Sequence, residues 1–327
     1  MDLEDKKVLI LGGSGLVGSA VCERLRSERV GGMIAPTSGV LDLVDQKQTN
    51  DFFTANAVDV VIVAAARVGG ILANDTYRAE FLYQNLMIAA NVINAAHEAR
   101  VKKLIFLGSS CIYPKAASQP MREEDLLTGE LEATNEPYAI AKIAGLKLCE
   151  NYYRQYGDNF FSLMPTNLYG PNDNFDAETS HVIPGLINKI HAAKVKGESK
   201  VTIWGTGRPL REFMHVSDLA NAIVFAIERI EAGDIYDSGI SHLNVGTGKE
   251  VSISELSIMI SDIAGFNGEI VYDTSKPDGT HRKLMDSSRI NSLGWKPDVE
   301  LRAGLEEVYK LYTLKDNTIL RTSSRKY

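Results

Sequence analysis

Val8-Leu9-Ile10-Leu11-Gly12-Gly13-Ser14-Gly15-Leu16-Val17-Gly18 is the stretch that decides the fold of this chain. Four apolar residues in a row read as a strand buried on both faces, and the glycines at 12, 15 and 18 lead straight into a helix predicted over Leu16 to Ser27. In such a turn Gly12 allows the tight bend, Gly15 lets a pyrophosphate approach the backbone at the helix N-terminus, and Gly18 lets helix and strand pack closely. Gly12, Gly13, Ser14, Gly15, Leu16, Val17 and Gly18 are therefore expected to cradle a dinucleotide.

Outward from this loop, short apolar runs recur at Val58 to Ala66, Leu104 to Gly108 and Phe160 to Met164. Helical patterns alternate with them over Gln46 to Ala55, Tyr77 to Arg100, Pro137 to Tyr156 and His181 to Lys194. The alternation predicts an α/β chain built on a Rossmann-type doubly wound parallel sheet. Beyond about residue 170 it weakens, and Pro and Gly punctuate Tyr169 to Asn174, Gly205 to Pro209, Gly246 to Gly248 and Lys276 to Gly279. A smaller C-terminal α/β substrate lobe is expected there. The expected division assigns 1–170 and about 212–240 to dinucleotide binding, and about 171–211 and 241–327 to the substrate, with the ligand cleft between.

Composition narrows the function classes. The 327 residues carry a net charge of −7 without a basic run, which removes the electrostatic footing for nucleic acid or an anionic membrane. Three widely spaced cysteines, Cys22, Cys111 and Cys149, form no Cys-x-x-Cys pair and match neither a disulfide framework nor a zinc site. No metal is expected. The N-terminus has no signal-peptide core and no apolar run reaches 18 residues, so the expectation is a soluble protein of the reducing cytoplasm.

The chemistry concentrates after the Leu104 strand. Ser109-Ser110-Cys111-Ile112-Tyr113 follows it at the C-terminal edge of the sheet, where doubly wound folds bind ligands. Tyr138 and Lys142 lie four residues apart and share one helix face. A cationic Lys142 beside the phenol is expected to lower the Tyr138 pKa, so that Tyr138 passes a proton to a carbonyl oxygen while hydride moves, with Ser109 holding the same oxygen. The second strand ends in Met33-Ile34-Ala35-Pro36-Thr37-Ser38 without the carboxylate usual for an NAD ribose, so NADP(H) is favoured, with Ser14, Thr37 and Ser38 as phosphate donors. Asp42 reads equally as an adenine partner or a loop cap.

These words resemble the extended short-chain dehydrogenase/reductases, and narrower segments resemble the branch of epimerase-reductases acting on GDP-4-keto-6-deoxy-D-mannose. The segments run nearly end to end: Ala64 to Ile71, Gly108 to Pro114, Asn135 to Lys142, Met164 to Pro171, Ser180 to Pro184, Arg211 to Val216 and Lys276-Pro277-Asp278-Gly279-Thr280. The glycine loop and the Tyr-Lys pair mark only the superfamily. The resemblance implies a GDP-sugar substrate epimerised at C3 and C5 and then reduced at C4, with Cys111 and His181 as the acid-base pair beside Ser109, Tyr138 and Lys142. It also implies cofactor contacts from Leu107, Gly108, Ser109, Ser110, Lys142, Pro165, Thr166, Asn167, Leu168 and His181. GDP contacts are implied for Lys189, Trp204, Arg211 and Asp278, and a homodimer through four helices, two being Tyr77 to Arg100 and Pro137 to Tyr156.

Each residue also has a plainer reading. Cys111 could be a buried filler, His181 a helix cap, Trp204 core, Arg211 a salt bridge to Glu212 or Asp218, and Asp278 a turn former. Cys22 and Cys149 read as packing residues, and His97, His191, His215 and His242 show no partner in the sequence. Three rival functions remain: a 4-epimerase retaining its NAD, a 4,6-dehydratase, and a non-catalytic NADP-binding sensor. Ser110-Cys111 stand where a dehydratase would carry Asp-Glu, and the intact Ser109, Tyr138 and Lys142 argue against a sensor.

Overall fold

The computed structural model describes residues 1–176, 180–276 and 278–314. Pro277 and residues 315–327, the end of the expected substrate lobe, lie outside the described residues. The strands are Lys7–Leu11 (β1), Gly32–Ile34 (β2), Val60–Val63 (β3), Lys103–Leu107 (β4), Phe160–Pro165 (β5), Asn167–Tyr169 (β6), Lys200–Trp204 (β7), Leu210–His215 (β8), Leu243–Val245 (β9), Glu250–Ser252 (β10), Glu269–Asp273 (β11) and Arg282–Lys283 (β12). The helices are Leu16–Arg26 (α1), Gln46–Ala55 (α2), Ile71–Thr76 (α3), Arg78–Glu98 (α4), Glu136–Tyr156 (α5), Val182–Lys196 (α6), Val216–Arg229 (α7), Ala232–Tyr236 (α8), Ile253–Ala264 (α9), Ser288–Ser292 (α10) and Leu301–Thr313 (α11).

A six-stranded parallel sheet in the order β2-β1-β3-β4-β5-β9 forms the first layer. Its central strands are apolar and buried on both faces, as a parallel sheet under helices requires. One face packs against α1 and α7 around Val8, Ile10, Ile62, Ile105 and Ile223. The other packs against α2, α4 and α5 around Leu9, Val61, Phe106, Val92 and Cys149. The strand order reverses between β1 and β3, which opens a crevice at their C-terminal ends.

Two close approaches set the site. An added Cβ at Gly18 would lie 2.1 Å from the Gly12 carbonyl oxygen, so only glycine lets α1 start tight against the loop. One at Gly145 would lie 2.4 Å from the Phe106 ring, so glycine lets α5 descend onto β4. That descent brings Tyr138 and Lys142 beside the residues that follow β4.

The smaller lobe contains a four-stranded sheet, in which β8 pairs with β6, β10 and β12, and the parallel pair β7 and β11. Helices α6, α9 and α11 pack with these strands around Ile187, Phe213, Leu256 and Leu305. The expected boundaries shift at two points. Strand β9 completes the large sheet beside β5, so 241–327 is not wholly a substrate lobe, and β8 belongs to the small sheet although α7 after it packs on α1. The buried polar Asn244 interrupts the apolar run of β9.

Candidate active site

Helix α1 begins at Leu16 with Gly15 as N-cap, and no side chain bonds its first N–H groups. An added Cβ at Gly15 would find only the Gly12 oxygen, at 3.3 Å. The loop Gly12, Gly13, Ser14, Gly15 therefore leaves backbone N–H groups and space at a helix N-terminus, the combination a dinucleotide pyrophosphate requires. Asp42 is exposed, and its carboxylate accepts from the Val44 N–H at 2.9 Å, so in this structure it caps the loop.

Strand β4 ends at Leu107, and Gly108 leads into a 3-10 turn at Ser110–Ile112 whose N-cap is Ser109. The Ser109 hydroxyl accepts from the Cys111 N–H at 3.5 Å and also bonds the thiol. Cys111 is 9% exposed. Burial pushes its thiol up, opposed by the Lys283 charge, the Ser109 hydroxyl and the Lys142 charge. Cys22 and Cys149 are buried and free, with Cys149 pushed up to about 12 by burial, so both are packing residues.

Lys142 is buried and donates to the Leu107 carbonyl at 2.8 Å, with its ammonium 4.8 Å from the Phe106 ring centroid and 5.6 Å from that of Tyr138. Burial lowers its pKa to about 8. Tyr138 departs from expectation. Burial pushes its phenol pKa up, and the Cys111 charge adds to the shift. The spacing on α5 does bring lysine and tyrosine onto one face, but burial sets the direction of the phenol's shift, and the ammonium is anchored on a backbone carbonyl.

His181 is the N-cap residue of α6, yet its ring caps nothing. It is exposed at the surface, while the protein around its ring lowers the imidazole pKa. Among the described residues no contact joins it to the Cys111 cluster. Pro165 ends β5. Thr166 and Asn167 bond the Glu212 carbonyl at 3.3 and 2.8 Å, and Leu168 packs into the core beneath.

In the small lobe Trp204 is 63% exposed, which removes the core reading. The ammonium of Lys189 lies 4.6 Å from its ring centroid and that of Lys276 5.6 Å. An open groove of about 640 Å³ beside Lys189, Lys196 and Lys200 lies between α6 and β7, and no member of the Cys111 cluster lines it. Arg211 is half-buried and donates to the Leu210 carbonyl at 2.8 Å. Its bland partners are engaged elsewhere: Glu212 binds backbone N–H groups of Thr247, Gly248 and Met285, and Asp218 those of Asp298 and Val299. Asp278 clamps Thr206 through its N–H at 2.6 Å and its hydroxyl at 2.8 Å, and its charge acts on Arg211.

Four further histidines do have partners. His97 meets Asp158 at 2.6 Å, His191 the Tyr309 hydroxyl at 2.9 Å, His215 the Ser217 hydroxyl at 2.7 Å, and His242 the buried Tyr113 hydroxyl at 2.7 Å. Two residues escaped the sequence reading. Glu212, fully buried, ties three segments together, and Lys283, on the short strand β12, acts electrostatically on Cys111. Nothing in the local spacing around Lys283 points to a cysteine so distant in sequence.

The glycine loop, the strand-end Ser109 and the Tyr138-Lys142 helix define a dinucleotide-dependent short-chain oxidoreductase site. The chain belongs to the NAD dependent epimerase/dehydratase family, whose model matches residues 8–246. Within that family it is 52% identical to GDP-L-fucose synthase 1 of Arabidopsis thaliana, over 95% of this chain and 94% of that protein. It is 49% identical to the GDP-L-fucose synthase of Escherichia coli K12, over 95% of this chain and 97% of that protein. Among solved structures, a GDP-mannoheptose C4 reductase of Campylobacter jejuni with NADP bound is 38% identical, with a TM-score of 0.87 over 95% of this chain and 99% of that one.

Proposed function

We propose that the chain converts GDP-4-keto-6-deoxy-D-mannose to GDP-L-fucose, inverting C3 and C5 and then reducing the C4 ketone with NADPH. The observation that carries this is the 3-10 turn after β4, which sets Ser109 and the Cys111 thiol together against Tyr138 and Lys142 of α5. A base and an oxyanion cradle thus share one carbonyl.

The 4-ketone makes the hydrogens on C3 and C5 acidic, because the anion left behind delocalises onto O4. Ser109 and Tyr138 hold that oxygen as it becomes an enolate. Cys111 takes the proton from one face and His181 returns one to the other, since inversion needs acid and base on opposite sides. NADPH, held by the glycine loop, would supply the hydride for C4. Tyr138 then gives its proton to O4. Its raised pKa suits that direction: the phenol stays protonated until a more basic alkoxide forms, and the Lys142 ammonium steadies the phenolate afterwards. The Cys111 charge raises the cost of ionising Tyr138, so the thiolate form of Cys111 keeps Tyr138 a donor.

Arg211 binds the diphosphate and Trp204, flanked by Lys189 and Lys276, receives the guanine end, with Asp278 holding Thr206 in the turn between the strands of Trp204 and Arg211. Gly12 to Gly18 bind the NADP pyrophosphate. A homodimer forms through α4 and α5, which pack on each other and leave Tyr83, Leu86 and Ile140 exposed. A cytoplasmic location suits a thiol that must stay reduced. No helix among the described residues is long and apolar enough to cross a membrane.

The test is direct. GDP-4-keto-6-deoxy-D-mannose should consume one equivalent of NADPH, and Cys111→Ser should block solvent deuterium entry at C3 and C5 while part of the reductase activity survives. No turnover of this substrate, or conversion of a UDP-hexose without added reductant, defeats the reading.

A further inference from the structure

We propose that Asn85 and Asn91, two buried side chains of α4, are positioning residues that hold the walls of the dinucleotide crevice in place. The inference rests on the reading of the glycine loop as the cofactor cradle, and it starts from two residues that a buried helix face disfavours.

Asparagine is a poor helix former, and a buried amide is costly unless its hydrogen bonds are met. The buried stripe of α4 is otherwise apolar, with Phe81, Val92 and Ile93 among its members. Asn85 and Asn91 nevertheless stand in it at 4% and 3% exposure. Both direct their amides at loops. Strand β3 ends at Val63, and after the Ala64 N–H has reached the Leu11 carbonyl at 3.0 Å the chain leaves the sheet. The Arg67 backbone then needs partners from elsewhere. The Asn85 oxygen accepts from the Arg67 N–H at 2.9 Å, while its NH2 donates to the Arg67 carbonyl at 3.0 Å and the Phe81 carbonyl at 2.8 Å. Asn85 thus stands in for a neighbouring strand. The Arg67 side chain follows, meeting Glu80 of α4 at 2.5 Å and lying 5.3 Å from the Phe81 ring centroid. Asn91 donates to the carbonyls of Leu43 and Val44 at 2.9 and 3.0 Å, which fixes the segment between β2 and α2 just after Asp42.

These two segments flank the glycine loop. Gly12 has a φ of +86°, and a Cβ there would lie 2.7 Å from the Ala65 nitrogen, so the segment from Ala64 to Arg67 rests directly on the loop. A Cβ at Gly13 would lie 2.7 Å from that of Ala35, where β2 gives way to the other segment. Leu41 and Leu43 of that second segment are buried with Val92 and Ile93 of α4. The strand order reverses between β1 and β3, so a dinucleotide lying along Gly12 to Gly15 passes between the two segments. One helix therefore sets both walls, Asn85 the one after β3 and Asn91 the one after β2, where the adenosine half belongs. A wall that leaves its place binds cofactor only in the fraction of molecules where it is correct, so losing a clamp weakens binding and spares the chemical step.

The test titrates the full chain with NADPH, read by its fluorescence, and with adenosine 2′,5′-bisphosphate, the adenosine half of the cofactor, read by calorimetry. Asn85→Ala and Asn91→Ala should each raise the NADPH Kd by about tenfold or more, the effect of a competent fraction near about a tenth. Asn91→Ala should weaken adenosine 2′,5′-bisphosphate by the same factor. With saturating NADPH, kcat and the KM for the GDP-sugar should stay within about threefold of wild type. Hydrogen exchange at the Arg67 amide should quicken in Asn85→Ala and not in Asn91→Ala. Serine at either position keeps one hydroxyl donor, should recover part of the affinity, and carries the same test where an alanine variant fails to fold. An NADPH Kd within about twofold of wild type in molecules that bind with full stoichiometry, even with a lower melting temperature, makes the asparagines merely structural and overturns the proposal. A fall in kcat with an unchanged Kd overturns it too. Gly15→Val, whose added atoms fill the space for the pyrophosphate, separates the two failures: NADPH binding that survives it defeats the reading of the glycine loop, whereas binding lost with it but unchanged in the asparagine variants defeats only their role.

Discussion

Glu212→Ala should loosen the joint between the two sheets, and its cost can be worked from contacts. The side chain is 0% exposed. One carboxylate oxygen accepts from the N–H groups of Thr247 and Gly248 at 2.6 and 2.7 Å, and the other from Met285 at 3.0 Å. Thr247 and Gly248 follow β9 of the large sheet, Met285 follows β12, and Glu212 itself stands in β8. Burial pushes its carboxyl pKa up, so the donors only partly offset desolvation. Alanine orphans all three N–H groups at once. Each unsatisfied group costs about 1–3 kcal/mol, and loss of such a buried charged hub about 3–5 kcal/mol, since the terms do not add fully. At about 2 °C per kcal/mol for a chain of this size, the melting temperature should fall by about 6–10 °C. Glu212→Gln keeps one acceptor for Thr247 and Gly248 but turns an amide N–H toward Met285, so it should cost about 1–3 kcal/mol, or about 2–6 °C. Thermal unfolding of the three proteins with and without NADPH measures both steps. An alanine variant that melts within about 2 °C of wild type, or a glutamine variant less stable than alanine, refutes the hub.

Three other outcomes follow from the site. Tyr138→Phe should cut NADPH oxidation by about 10²–10⁴-fold, the worth of a positioned general acid, with the melting temperature unchanged, because among the described residues no hydrogen bond of the phenol holds the fold; a loss under threefold would contradict its role. The rate of reduction should fall with rising pH through about 8, because Lys142 is a cation below that value and neutral above it; a pH-rate profile of single-turnover reduction that stays flat to pH 10 removes Lys142 from the step. Arg211→Met should raise KM for the GDP-sugar by at least about tenfold while leaving NADPH binding intact, read by titrating each ligand separately, and an unchanged KM assigns the diphosphate to another cation.

Legibility followed the range of the physics. Strands β1, β3, β4 and β5 and helices α1, α2, α4, α5 and α6 could be read because burial on two faces or on one helical stripe writes itself into consecutive residues. Tyr138 and Lys142 were legible for the same reason, since four residues make one turn. What failed was whatever depends on surroundings. The same spacing that placed lysine beside tyrosine predicted a lowered phenol pKa, but spacing carries no information about desolvation, and burial won. Strand β9 was hidden by Asn244, whose side chain reaches the Met121 and Asp286 carbonyls and the Tyr113 hydroxyl, so a polar residue sits inside an otherwise apolar strand. Glu212 looked like a salt-bridge partner for its neighbour Arg211, although alternation in β8 sends the two side chains to opposite faces. Lys283 was the least legible of all. Its meaning depends on two chain segments far apart in sequence, the turn after β4 and the strand after the Asp278 loop, lying side by side through backbone bonds at Met121, Leu284 and Asp286. The reductase residues are therefore local and readable, whereas the surroundings of the thiol are assembled from segments far apart in sequence. Changes at the Glu212 joint should accordingly disturb epimerisation before they disturb reduction, because Met285, which Glu212 holds, packs with Ile112 and Tyr113 next to Cys111, whereas Lys142 is anchored on the Leu107 carbonyl of β4.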